Sequence, residues 1–100
     1  MGKENAIKSR SFLFSVKVVN LYMPLSSEKK EFVMSRQLLR SGTAIGALER
    51  EAEHAECKVD FIHKLSISLK EANETEYWLD LLIASDYLRG RSISGIQKRY

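Results

Sequence analysis

A chain of 100 residues with 44% hydrophobic and 29% charged residues has room for one small core, and this composition excludes an intrinsically disordered protein. The net charge of +3 excludes a strongly polyionic chain. The single cysteine, Cys57, excludes an intrachain disulfide framework. No apolar run reaches the length of a membrane span, and no export signal is recognisable, so the sequence predicts a cytoplasmic protein without membrane contact.

Charge is distributed unevenly along the chain. Residues 1–40 contain eight basic and three acidic residues, residues 41–86 contain four and ten, and residues 87–100 contain four basic residues and no acidic one. Such segregation predicts either neighbouring helices of complementary charge or a basic surface for an anionic partner.

The first predicted helix covers residues 9–23, and Pro24 is expected to end it because proline cannot donate a helical hydrogen bond. One face of this helix carries Phe12, Val16, Val19 and Met23. Further apolar residues make the apolar surface wider than a single contact requires. The width indicates a deep position in a bundle or a contact between subunits.

The second predicted helix covers residues 27–52, with Ser26 or Ser27 as its N-terminal cap. Gly42 and Gly46 lie in its interior, where each glycine costs about 1 kcal/mol relative to alanine. The two glycines therefore predict close packing against another helix.

The third predicted helix covers residues 58–88 and has the clearest apolar repeat of the chain. Its seam consists of Ile62, Leu65, Leu69, Ala72, Glu76, Leu79 and Ile83. A fourth helix is predicted to begin at about residue 94. The expected fold is therefore an all-α helical bundle, one domain over residues 1–100, with a fourth helix only begun. Either a longer chain or partner subunits would cover the remaining apolar surface.

Two carboxylate-x-x-His pairs raise the question of a metal site. Glu51 is followed by His54, and Asp60 by His63, a spacing that helical bundles use in di-metal centres. Such a centre also needs inward carboxylates from the other helices, which this sequence does not supply. Cys57 lies near His54 among acidic residues, which disfavour a reactive thiolate. The sequence predicts no catalytic residue, no metal and no cofactor, so the protein is not expected to be an enzyme.

Six basic residues are the candidate nucleic-acid contacts. Lys29, Arg36 and Arg40 share one face of the second predicted helix, and a second set recurs at near-heptad spacing on the third. The second set is Lys58, Lys64 and Lys70. A solvated basic face is the alternative interpretation of both sets. The aromatic side chains of Tyr77 and Trp78 could stack on bases, and packing in the core or at an interface is the alternative for them.

Three segments together resemble a known family. They are RQLLRSGTAIGA (36–47), DFIHKLSISLKEA (60–72) and ETEYWL (74–79). They resemble the four-helix-bundle proteins encoded in intervening sequences of bacterial 23S rRNA genes, and are similar to accessory proteins of diversity-generating retroelements. The chain departs from the family pattern at Leu48-Glu49-Arg50 and at Cys57.

This resemblance implies an up-and-down antiparallel four-helix bundle protomer that assembles into a barrel-like homopentamer, with no assigned activity. The retroelement branch implies binding of nucleic acid through a basic surface, and binding of a reverse transcriptase. The function we expect is therefore a non-enzymatic oligomer that binds RNA or DNA. The alternative is a protein-interaction scaffold, or an accessory subunit of a larger complex, with no nucleic-acid contact of its own.

Overall fold

The computed structural model describes residues 2–89, and side chains from residue 9 onward. This part of the chain forms three helices, α1 (Gly2–Ser27), α2 (Met34–Glu53) and α3 (Lys58–Ala84), and contains no strand. The all-helical class is confirmed. The fourth helix predicted from about residue 94 lies outside the described residues.

Helix α1 packs against α2 in the antiparallel direction. A Cβ atom added at Gly42 would lie 2.7 Å from Cγ2 of Val18, and one added at Gly46 would lie 3.4 Å from Oγ of Ser11. The contacts therefore move toward the start of α1 as they move toward the end of α2. At Gly42 the two helices approach so closely that no side chain fits, which explains a glycine inside a helix.

Helix α3 also packs antiparallel to α2, through small polar side chains. Oγ1 of Thr75 lies 2.9 Å from Oγ of Ser41 and 2.7 Å from the carbonyl oxygen of Glu71. Nearer the start of α3, the hydroxyl of Ser68 donates to the carbonyl of Ile45 over 3.2 Å. These buried hydroxyls all have partners, so placing them between helices leaves no unpaired polar group among them.

The core lies where α2 meets the two other helices. Its buried apolar members are Val18, Leu25, Leu38, Leu79 and Leu82. Phe14, Leu21, Trp78 and Tyr87 pack against this cluster and are half-buried. Helix α2 packs extensively on both neighbours, whereas α1 and α3 share little contact, so α2 is the central helix.

Helix α1 continues through Pro24 and ends at Ser27, later than the residue 23 predicted from the sequence. Pro24 removes one helical hydrogen bond, that of its own missing N–H, and only three residues of α1 follow it. The hydroxyls of Ser26 and Ser27 donate to the carbonyl of Met23 over 3.2 and 2.8 Å. The two serines therefore cap the end of α1, and the prediction that they cap the second helix is wrong.

Helix α2 begins at Met34 rather than at residue 27, because Glu31 holds its first turn. One carboxylate oxygen of Glu31 accepts the N–H groups of Val33 and Met34 over 3.1 and 3.0 Å, and the other accepts that of Ser35 over 2.7 Å. Burial raises the pKa of the Glu31 carboxyl, but these donors lower it by more, so the net direction is downward. A buried carboxylate thus satisfies the free N–H groups of the helix start.

Helix α3 ends at Ala84, before the residue 88 predicted from the sequence. Asp86 adopts the left-handed conformation, with a φ of 69°. The N–H of Asp86 donates to the carbonyl of Ile83 over 3.0 Å, and that of Tyr87 donates to the carbonyl of Leu82 over 2.9 Å. This pair of bonds is a Schellman motif, which reverses the chain without a glycine.

Candidate functional site

The apolar face predicted on the first helix points away from the core. We call Phe12, Val16, Val19 and Met23 the α1 stripe. Their exposed fractions range from 38% to 57%, while Val18 and Leu25 on the opposite side of α1 are buried. The α1 stripe is therefore an exposed apolar surface that follows one side of the helix.

A second exposed apolar surface lies on the first half of α3. We call Ile62, Leu65 and Leu69 the α3 stripe; their exposed fractions range from 39% to 64%. Helix α3 contacts α2 instead through a face containing Ser68 and Thr75, which is rotated by about 100° from the stripe. The seam predicted from the sequence is therefore not the protomer core, and Leu79 is its one buried member.

Three of the six predicted nucleic-acid contacts bind within the protomer. Nζ of Lys29 donates to the carbonyl of Tyr87 over 3.1 Å. Lys64 forms an ion pair of 3.0 Å with Glu51, and the hydrogen bond and charge of Glu51 raise the pKa of Lys64. The third residue, Arg40, links α2 to α3. All three cations connect elements of the fold, and carboxylates partly neutralise the charges of Lys64 and Arg40.

Arg40 is the centre of a polar network on the side of the α2–α3 contact. Its guanidinium forms an ion pair with Glu71 at 3.2 Å and a second one with Glu74. Glu74 also accepts the indole N–H of Trp78 over 3.0 Å. Tyr77 stacks edge-on against Trp78, with ring centroids 5.1 Å apart. Neither glutamate was predicted from the sequence as a partner of Arg40, although their spacing of three residues on α3 gives them one common side.

The remaining three candidates are exposed but separate. The cationic groups of Arg36, Lys58 and Lys70 make no hydrogen bond or ion pair with any described residue. Lys58 and Lys70 lie on one helix about 18 Å apart along its axis, and Arg36 lies on α2. The six predicted contacts therefore do not form one continuous patch.

The two carboxylate-x-x-His pairs lie around the turn between α2 and α3. His54 follows the end of α2 and is exposed, as are Cys57 and His63. An open pocket of about 460 Å³ at this turn is lined by His54, Cys57 and Phe61, among others. Among the described residues no group of three or more His, Cys, Asp or Glu side chains is placed to hold a metal ion.

These observations define a small all-helical protein in which two outer helices pack on a central one and carry exposed apolar stripes. No helix in the described part of the chain is long and apolar enough to cross a membrane. A family model described as 23S rRNA-intervening sequence protein matches residues 3–100. The chain therefore belongs to this family.

Solved structures support the same assignment. Among the chains that match is a crystal structure, at 1.70 Å resolution, of a protein with unknown function from the S23 ribosomal protein family of Bacteroides thetaiotaomicron VPI-5482. The two sequences are 59% identical, the match covers 92% of this chain and 83% of that one, and the TM-score is 0.87. No curated protein matches the chain. The similarity to retroelement accessory proteins stays a prediction.

Proposed function

We propose that this protein is a non-enzymatic, cytoplasmic scaffold that assembles with copies of itself. The observation that carries the proposal is the α1 stripe, an apolar surface running along a helix whose other side already packs on α2. Single exposed apolar residues are ordinary on a protein surface, but a continuous row of them marks a contact with another molecule. The homopentamer implied by the family resemblance is the size we expect.

A fourth helix is part of the same proposal. A groove of about 290 Å³ lies between the outer helices and is lined by Phe14, Ile45 and Leu79, among others. In the sequence Ile93, Ile96 and Tyr100 have the spacing of one helix face. We expect this segment to cover the groove as an antiparallel fourth helix. Replacing Ile96 with Asp should then lower the unfolding free energy, measured by urea titration, whereas Gln97→Asp should not.

Light scattering after size-exclusion chromatography tests the assembly. We expect the full chain at micromolar concentration to have several times the mass of one protomer. The double variant Val16→Ser, Val19→Ser should have a lower mass, because two apolar side chains of the α1 stripe are lost. A wild-type protein that is a monodisperse monomer would contradict the proposal.

Binding of RNA or DNA is the second function that we propose. It is supported by the three exposed cations that have no partner among the described residues, Arg36, Lys58 and Lys70, which an oligomer would repeat around its surface. Affinity should fall steeply as salt is raised, since each neutralised phosphate releases counterions. A binding partner that is a polypeptide, such as a reverse transcriptase, is the alternative.

Matched charge reversals separate phosphate contacts from structural ones. Arg36→Glu with Lys70→Glu should weaken binding to labelled RNA or duplex DNA and leave the unfolding free energy nearly unchanged. Arg40→Glu should instead destabilise the fold, because it places a carboxylate beside Glu71 and Glu74. If the wild-type oligomer binds neither nucleic acid at low salt, this second function is wrong.

A further inference from the structure

A pocket of about 280 Å³ lies at the end of the protomer where α1 and α3 both terminate. Its lining consists of apolar side chains from the last turns of α1 and from the turn after α3, together with two cations, Lys29 and Arg89. The groove that we expect the fourth helix to cover shares no lining residue with it. The pocket is therefore a separate feature, and its volume suits a small molecule.

The buried part of the pocket is apolar and its exposed part is cationic. Leu25 is almost fully buried, and Leu21 and Leu88 are half-buried. Lys29 and Arg89 are exposed. A molecule with an apolar tail and a charged head has the same arrangement, since its tail gains from leaving water and its head from staying near it.

Backbone hydrogen bonds fix both walls of the pocket. On one wall, the carbonyl of Pro24 accepts the N–H of Lys29 over 3.1 Å. On the other wall, the N–H groups of Tyr87 and Leu88 both donate to the carbonyl of Leu82, over 2.9 and 3.2 Å. Because the walls are formed in advance, a ligand would need little ordering of the chain in order to bind.

The charged residues that line the pocket are all basic. Nζ of Lys29 donates one N–H to the carbonyl of Tyr87 over 3.1 Å, which leaves two N–H groups for a ligand. The guanidinium of Arg89 makes no hydrogen bond or ion pair with any described residue. Glu28 and Asp86, the nearest acidic residues in sequence, are exposed and do not line the pocket.

The carboxyl ends of α1 and α3 oppose an anion here, but only in part. Each helix end carries roughly half a negative charge, which is less than the full positive charge of one cation. The carbonyl of Met23 is also occupied by the hydroxyls of Ser26 and Ser27, as that of Tyr87 is by Lys29. The two cations therefore determine the sign of the charge that the pocket favours.

Positive charge at the pocket also disfavours the following segment of the chain as its occupant. Residues 90–100 include three basic side chains and no acidic one; the basic residues are Arg91, Lys98 and Arg99. Like charges placed together repel each other, whereas an anion brings opposite charges into contact.

We propose that this pocket binds a small amphipathic anion, a molecule with a carboxylate or phosphate head and a short aliphatic tail. Lys29 and Arg89 hold the head, and the tail packs against Leu21, Leu25 and Leu88. This site goes beyond self-assembly and nucleic-acid binding, and it depends on neither.

Octanoate and octyl phosphate are the probes, and methyl NMR of the 100-residue chain locates them. We expect at least one of the two to cause saturable shifts of the methyl signals of Leu21, Leu25 and Leu88. The signals of Val16 and Val19 in the α1 stripe should stay unchanged. Octanol, which has the same tail without the charge, should bind several-fold more weakly, and added salt should reduce this difference. Comparison of the two anions distinguishes a carboxylate ligand from a phosphate ligand.

Variants separate the contribution of charge from that of the apolar lining. Arg89→Gln should weaken binding of the anions roughly two- to five-fold, the effect of losing one exposed ion pair, and leave octanol binding unchanged. Lys30→Gln is the matched control, because Lys30 is an exposed cation outside the pocket. Leu21→Trp should fill the pocket and abolish binding of all three probes. If this variant fails to fold, Leu21→Phe decides the same question.

The proposal is wrong if neither anion shifts these leucine signals at millimolar concentration, or if octanol binds as tightly as the anions. Shifts that are largest at Val16 and Val19 would show adsorption on the α1 stripe and would overturn it. Nuclear Overhauser contacts between Leu21 and Ile96 would show that residues 90–100 already fill the pocket, with the same consequence.

Discussion

At the scale of single residues, Gly42 and Val18 control the distance between α1 and α2. A Cβ atom at Gly42 would lie within 3.0 Å of both γ-carbons of Val18, and a β-branched side chain in a helix has little freedom to move aside. At Gly46 the nearest atom to an added Cβ is 3.4 Å away, which is an ordinary contact. The two glycines of one helix therefore have different roles.

We expect Gly42→Ala to lower the unfolding free energy by about 1 to 3 kcal/mol, the usual cost of overpacking. Gly46→Ala is the matched control and should be neutral or stabilising by up to about 1 kcal/mol, because alanine favours the helix. Urea denaturation measures both. In a Val18→Ala background the penalty of Gly42→Ala should be smaller; equal penalties with and without Val18 would show that the clash is not the cause.

Glu31 is the other residue with a specific structural role, because its buried carboxylate accepts three backbone N–H groups. Its pKa is lower in the folded state than in the unfolded state. A carboxyl of this kind contributes its full stability above the unfolded pKa and loses that contribution as the pH falls through the folded pKa.

Glu31→Gln should therefore destabilise the protein by about 1 to 2 kcal/mol near neutral pH, since a charged acceptor is lost. The difference between wild type and variant should shrink as the pH is lowered below the ordinary range of a glutamate. Thermal unfolding followed across this pH range is the measurement. Glu28→Gln, the same change at an exposed neighbour, should have no such effect, and a pH-independent difference at Glu31 would exclude the proposed linkage.

At the scale of elements, the end of α3 depends on a residue in an unfavourable conformation. Asp86 has a positive φ, which glycine adopts without strain, and its negative charge lies at the carboxyl end of a helix, where the dipole disfavours it. The neighbouring residues Tyr87 and Leu88 pack against the core, so the turn must form for these two side chains to be in place.

Asp86→Gly should stabilise the protein by about 0.5 to 1 kcal/mol through relief of both effects. Asp86→Asn removes only the charge and should give part of this gain. Asp86→Val should destabilise, because a β-branched residue is poorly accommodated at a positive φ. A series in which the three midpoints of urea unfolding follow a different order would contradict this account of the turn.

At the scale of the whole molecule, the proposed self-assembly through the α1 stripe predicts that stability depends on protein concentration. Association stabilises the folded state by mass action, so Tm should rise with protein concentration. Blocking the α1 stripe by Val16→Ser and Val19→Ser should remove this dependence and leave a single lower Tm. Differential scanning calorimetry over a wide range of protein concentration measures it, and a concentration-independent Tm for the wild type would indicate a stable monomer.

Much of this architecture could be predicted from the sequence. The abundance of helix formers and the apolar spacing of three and four residues determined an all-helical chain, and the residues from Arg36 to Leu79 were sufficient by themselves to indicate the family. The helix ends were predicted less well. The residues that determine these ends act on backbone groups only a few positions away; they are Pro24, Glu31 and Asp86. Which backbone group each of them contacts depends on the conformation of the folded chain.

Only the tertiary structure decided which face of each helix is buried. Periodicity shows that apolar residues share one face of a helix, but it does not show which neighbouring helix that face contacts. In this protein the faces with the strongest apolar pattern, the α1 and α3 stripes, lie outside, while Gly42 and Ser41 of α2 and Thr75 of α3 lie at the contacts between helices. Small residues allow close approach and paired hydroxyls can be buried at little cost, so these positions pack beside the core residues Leu38, Leu79 and Leu82 while the two stripes stay exposed. The same holds for the basic residues. The sequence does not distinguish Arg40 and Lys64 from Arg36 and Lys70, and only the neighbours in the folded chain show that the first two form ion pairs and the last two do not.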